Sequence, residues 1–138
     1  MLSVFENAYL PRKAGARFFV RCLRNKELSR LRSDFWVSAY LRRCASEDAV
    51  AVLRRRGAAE AGAIFVKVDR LDGSAGLFGP APQSSGDGSD RVFVRFHKED
   101  WIDPASAEQR LAREISFDPD LWIIEVEDRR GRVFFDFM

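Results

Sequence analysis

The residues with the widest chemical range are His97, Cys22, Cys44 and the pair Glu125 and Glu127. His97 is the sole histidine, so a Ser-His-Asp or Cys-His arrangement would have to form around it, with Cys44 or a serine arriving from elsewhere. No Gly-x-Ser-x-Gly elbow accompanies it. It stands where a strand gives way to Lys98-Glu99-Asp100, the setting of a solvated strand-end histidine. A metal site using Glu99, Asp100 or Asp103 with it would draw mostly on adjacent loop residues. Glu125 and Glu127 share one strand face two residues apart, close enough for mutual perturbation to split acid and base roles, as in a small hydrolase. Solvated sheet carboxylates have the same spacing, and no third partner marks this pair as catalytic. Gly73, Gly76 and Gly79 lie within a hairpin pattern rather than between a strand and a helix, so they read as turn and strand glycines and not as a phosphate loop. The two cysteines have no C-x-x-C spacing and no neighbouring histidine, which points to reduced thiols without zinc or a disulfide. No cofactor is expected.

The elements that would position these residues begin at Ser33-Asp34, good helix caps. They are followed by Val37, Tyr40, Leu41 and Cys44 at one-sided helical spacing. Residues 49–56 can be read as a helix capped near Ser46 and closed by Gly57, or as a strand in which Val50 and Val52 alternate; the alternation favours the strand. Ile64, Val66 and Val68 alternate with Phe65, Lys67 and Asp69, and Asp72-Gly73 turns the chain back through Ser74 to Gly79. Gly79-Pro80-Ala81-Pro82 ends that strand, and 83–90, made of Gln, Ser, Gly and Asp, reads as a flexible surface loop. Arg91 to Phe96 alternates again. Asp103 and Pro104 open a second helix with the stripe Ala107, Leu111, Ile115 and an outward pair Arg110 and Glu114. A strand from Leu121 to Glu127 and a short hairpin through Arg129-Arg130-Gly131 to Val133-Phe134-Phe135 finish the chain. Strands joined by short turns predict an α+β fold: an antiparallel sheet of five or six strands with two helices packed on one face.

At 138 residues, with 46% hydrophobic and 12% aromatic residues, the chain has the length and composition of one folded domain. No uncharged apolar run approaches the roughly 20 residues that cross a bilayer, and no secretory signal pattern is present, so a cytoplasmic protein without membrane contact is expected. Charge is uneven. Residues 1–30 hold seven basic and two acidic side chains, a net of +5, and the remainder nets −3. The first 30 residues read as a basic N-terminal extension outside the domain at 31–138, with an organellar transit segment or an upstream start as alternative origins.

Strand parity gathers one further constellation. If Val66, Val94 and Ile124 face the helices, then Phe65, Lys67, Arg91, Phe93 and Arg95 share the outer face of the sheet. Aromatic rings interleaved with cations suit single-stranded DNA or RNA, aided by the basic arm. Asp69, Glu125 and Glu127 would share that face and repel phosphates, so a self-complementary protein interface, as in a homodimer, fits better. A third arrangement covers Phe65 and Phe93 with the N-terminal segment or with Phe134 of the same chain. The Arg42-Arg43 and Arg54-Arg55-Arg56 runs read as solvated ends of elements or as an anion patch.

Three stretches carry a family resemblance: 31–44, 61–83 and 117–128. The runs Gly62-Ala63-Ile64-Phe65-Val66-Lys67-Val68, Gly79-Pro80-Ala81-Pro82-Gln83 and Phe117-Asp118-Pro119-Asp120-Leu121-Trp122 are its most specific parts. Over about residues 31–136 the chain resembles the bacterial family catalogued as domain of unknown function 1491. The resemblance implies a bacterial context and no activity, so it transfers no catalytic or binding residue.

Overall fold

The computed structural model describes residues 31–82 and 91–138. The expectations for the 1–30 extension and the 83–90 loop fall outside these residues. The elements below lie in one compact unit within Arg32–Ser84 and Val92–Met138; Leu31 and Arg91 belong to a second unit, where the Arg91 guanidinium donates to the Leu31 carbonyl at 3.1 Å.

In chain order the elements are α1 (Ser33–Ser46), β1 (Val50–Arg55), β2 (Ile64–Asp69), β3 (Ala75–Pro80), β4 (Phe93–Arg95), α2 (Pro104–Phe117) and β5 (Trp122–Glu127). The strands form one sheet in the order β1-β5-β2-β3-β4. The α+β class and the five strands follow the expectation, and residues 49–56 do contain a strand. The sheet is mostly antiparallel, but its central pair, β2 and β5, is parallel, from Ile64 opposite Trp122 to Asp69 opposite Glu127. The excursion through β3, β4 and α2 supplies the crossover that a parallel pair requires. β2 and the first half of β5 are buried on both faces, which is why they read as near-continuous apolar runs rather than as clean alternation.

The helices lie on opposite faces, a correction to the single-face arrangement. Val37, Tyr40 and Cys44 of α1 join Ile64, Val66, Val68, Phe78, Ile124 and Val126 in one core cluster. Leu111 of α2 joins Phe65, Leu77, Leu121 and Ile123 in another, with Ile115 packed against it. Both stripes were visible in the sequence; what assigns them to different faces is that both parities of β2 and β5 are apolar, so each face needs a cover.

Local chemistry sets the ends of these elements. Asp103 caps α2, its carboxylate accepting from the Ala105 and Ser106 amides at 2.9 and 3.3 Å, with Pro104 at the first helical position. At α1 the expected Ser33 cap is absent: Ser33 is buried, donates its hydroxyl to the Gly62 carbonyl at 2.7 Å, and so pins the helix start to the loop before β2. Gly73 turns the β2-β3 hairpin at φ 89°, where a side chain would be strained. A Cβ on Gly79 would sit 2.5 Å from the Phe65 ring, so this strand glycine makes room for the ring. The final hairpin does not form. After Gly131 the chain crosses the α1 face, Phe134 takes a positive φ of 64°, and Phe137 makes a single parallel bridge to Phe93.

Candidate functional site

Of the five residues expected on an outer face, Phe65 is 3% and Phe93 4% exposed, and they lie in different core clusters on opposite sides of the sheet. The cause is register. Val66 is opposite Phe78, and Phe78 is opposite Arg95, so Phe93 and Arg95 share the face of Val66 and not that of Phe65. Phe65 meets Phe96 edge-on at 5.1 Å between ring centroids, under α2. Phe93 stacks on Phe135 at 4.4 Å and packs beside Trp36 at 5.2 Å. The chain's own tail thus covers Phe93, through Phe135 rather than Phe134. Arg95 stands over the Phe137 ring at 5.2 Å, and its guanidinium approaches Asp100 at 3.3 Å. Phe65, Lys67, Phe93 and Arg95 therefore share no common surface.

Lys67 is the member that gains a chemical setting. Registers place Val52, Glu125, Lys67 and Leu77 in one row across β1, β5, β2 and β3. Lys67 is buried, its ammonium 2.5 Å from Glu108 of α2 and 3.3 Å from Glu125 of β5. Arg54 closes the group from β1, holding both Glu108 oxygens at 2.7 and 3.1 Å and reaching Glu125 at 3.5 Å. Burial pulls the Lys67 ammonium toward lower pKa, and the hydrogen bond to Glu108 with the charge of Glu125 more than offsets it. The Arg54 fork holds the Glu108 carboxyl down to about 2. Two cations and two carboxylates meet there and latch four elements, β1, β2, β5 and α2, on the α2 face.

The latch depends on a β-bulge. Leu53 is opposite Ile124 but Arg55 is opposite Ile123, so β1 gains a residue at Arg54. Arg54 reaches Glu108 while Arg55 donates to the Pro119 carbonyl at 2.6 Å just beyond α2, and Arg56 stacks over Trp122 at 5.3 Å. The three-arginine run is thus dispersed among separate partners. No period-2 reading of the sequence could find that bulge.

The residues proposed for catalysis separate as well. The structure brings Glu125 to Lys67 and Arg54, whereas Glu127 is exposed and, among the described residues, has no cation within ion-pair distance. His97 is 9% exposed, a correction to the solvated strand-end reading. Its Nε2 accepts from the Leu77 amide at 3.1 Å and its Nδ1 lies 2.6 Å from the Glu99 carbonyl. An amide can only donate and a carbonyl only accept, so the ring is neutral with its proton on Nδ1, and both nitrogens are occupied. The ring continues the β3-β4 ladder where β4 ends, beside the Phe96 amide that bonds the Leu77 carbonyl at 2.9 Å. Burial, followed by the nearby arginines, lowers its proton affinity despite the Glu99 carbonyl. Cys44 is a buried free thiol whose pKa burial raises. Among the described residues no group of three or more His, Cys, Asp or Glu is arranged to hold a metal ion, and no helix is long and apolar enough to cross a membrane. Arg110, expected to pair outward with Glu114, instead donates to the Phe96 carbonyl at 2.9 Å.

Among the described residues, what remains open is β1. It is an edge strand, and Val50 and Val52 are 58% and 51% exposed on the face that carries Arg54, Glu125 and Glu127. The candidate site is this valine edge beside the charge latch, a surface sequence reasoning missed although Val50 and Val52 had been read as alternating.

Fold and surface together describe a small α+β domain in which His97 and Glu125 are tied into structure and, among the described residues, the β1 edge is unpaired. The chain belongs to the DUF1491 family, whose model, described as a protein of unknown function, matches residues 31–136. The crystal structure of a family member from Caulobacter crescentus CB15 is similar with a TM-score of 0.66 and 33% identity, covering 79% of this chain and 98% of that one. The NMR structure of a family protein from the same organism gives 0.67 and 33%, covering 79% and 97%. The solution structure of protein Atu0922 from A. tumefaciens gives 0.62 and 38%, covering 71% and 86%. No curated protein matches the chain.

Proposed function

We propose that this chain is a small non-enzymatic protein-interaction domain of the bacterial cytoplasm that works through the exposed edge of β1. The observation carrying this reading is the exposure of Val50 and Val52 on an edge strand, since an edge presents unpaired backbone groups that an added strand can complete. The non-enzymatic part is supported by His97, Lys67 and Glu125, whose polar atoms are occupied by partners within the fold. The bacterial setting is supported by the organisms of the similar structures. The nucleic-acid alternative loses its stacking surface with Phe65 and Phe93 in the cores and Lys67 neutralised by carboxylates.

A photo-crosslinking residue placed at Val52, and separately at Leu71, which is exposed beyond the far end of β2, tests this in bacterial cells. Adducts from position 52 that fall sharply with Glu127→Lys and are absent from position 71 support the reading. Equal adducts from both positions, or none from either, contradict it.

A further inference from the structure

Where β4 leaves the sheet, its ladder to β3 is carried across a gap. The Phe96 amide bonds the Leu77 carbonyl at 2.9 Å, and further along β3 Ala75 and Ile102 exchange both backbone bonds at 2.7 and 2.8 Å. Between these points residues 97–101 loop out, and among the described residues their one hydrogen bond to β3 runs from the Leu77 amide to His97 Nε2. We infer that the His97 ring is a proton-operated clasp, whose protonation releases the 97–101 loop and the Trp101 ring from β3 while the rest of the sheet stays folded.

The geometry leaves one place for a second proton. Nδ1 already donates to the Glu99 carbonyl, so the proton must go to Nε2, where it confronts the Leu77 amide donor to donor. Leu77 is fully buried, so its amide finds water in place of the ring only if the loop moves away. Charges around the ring set when this happens. Arg95 of β4 and Arg110 of α2 oppose a second positive charge, Glu99 of the loop itself favours it, and β3 (Ala75–Pro80) contributes no titratable side chain. Burial opposes it most, so the closed loop holds the ring neutral and the open loop binds the proton more strongly.

The loop's remaining contacts can be released and remade. Trp101 rests against two glycines: a Cβ on Gly76 would stand 3.1 Å from its ring and one on Gly131 2.6 Å, so ring and backbone fit by shape. Arg70 lies over the same ring at 4.8 Å, and Arg95 meets the exposed Asp100 at 3.3 Å, an ion pair worth little in water. The backbone bonds of Phe96 and Ile102 do not involve the imidazole and bound the segment that opens. In acid the chain thus bares Trp101 and the glycine seat beneath it.

The test is an NMR pH titration of the full chain from about pH 8 to about pH 5, a range in which histidine titrates and ordinary carboxylates stay largely ionised. The clasp predicts that the amide signals of Leu77 and of 97–101, and the Trp101 indole signal, move together with the His97 ring at a midpoint below the ordinary imidazole value, while Val66 and Ile124 keep their folded positions. Corrected for the intrinsic pH dependence of exchange, the Leu77 amide loses about tenfold or more in protection across that range. His97→Gln, whose side-chain amide is a neutral donor and acceptor at every pH, removes these changes. A Trp101 indole indifferent to pH, signals of β2 and β5 that move as far as those of the loop, or changes that persist in His97→Gln overturn the clasp.

Discussion

The two faces of the sheet are closed by different chemistry. On the α1 face Trp36 meets the rings of Tyr40, Phe93 and Phe135, Phe135 also meets Tyr40, Phe93 and Phe78, Phe78 meets Phe137, and Tyr40 donates its hydroxyl to the Val133 carbonyl at 2.7 Å. That cover is apolar and assembled from α1 and the C-terminal segment. On the α2 face the helix covers Phe65, Leu77 and Ile123, and the boundary toward β1 is held by four charges, beyond which the valines meet water. The first face closes on itself through rings; the second stops, among the described residues, at an exposed strand edge.

Breaking the aromatic side should cost most. Phe93→Ala removes a buried ring stacked on Phe135, with an expected loss of about 3 kcal/mol by denaturant unfolding. A loss under about 1 kcal/mol would mean that the tail does not seal that face. On the other side, Lys67→Met leaves Glu108 and Glu125 facing each other with Arg54 alone. Because Glu108 is partly solvated, the expected loss is smaller, about 2 kcal/mol. It should also raise the Glu108 pKa from about 2, visible by NMR titration of the side chain.

Protonation sharpens the comparison at the sheet's third boundary. His97 has a depressed pKa in the folded chain, so its neutral form contributes stability that is full above the ordinary value of about 6.5 and is lost as pH falls through the folded value. The denaturant midpoint should therefore decline between pH 7 and about 5.5, before the carboxylates titrate, and His97→Gln should flatten that decline. An unchanged slope in the variant would show that the ring does not hold the Leu77 amide in its neutral form.

The helices, the β2-β3 hairpin and the strand at 49–56 were legible because their periodicities and caps are local. The face assignment was not. β4 has three regular residues at an edge, with Phe93 and Phe96 both apolar and of opposite parity, so alternation alone could not phase it against β2. Only the ladder through Phe78 does that. The charge latch was half legible: Lys67 and Glu125 were singled out, but for separate roles, since their union needs the parallel β2-β5 register and Arg54 needs a bulge. His97 looked solvated because the amide it caps lies twenty residues earlier in the chain.

The most direct test of the account is amide hydrogen exchange of the full chain, comparing β1 with β2 and β5. The account predicts that alternate amides within residues 50–54 exchange far faster than those of β2 and β5, whose strands are paired on both sides. Protection of every β1 amide to the level of β2 would contradict it, since the edge would then be covered.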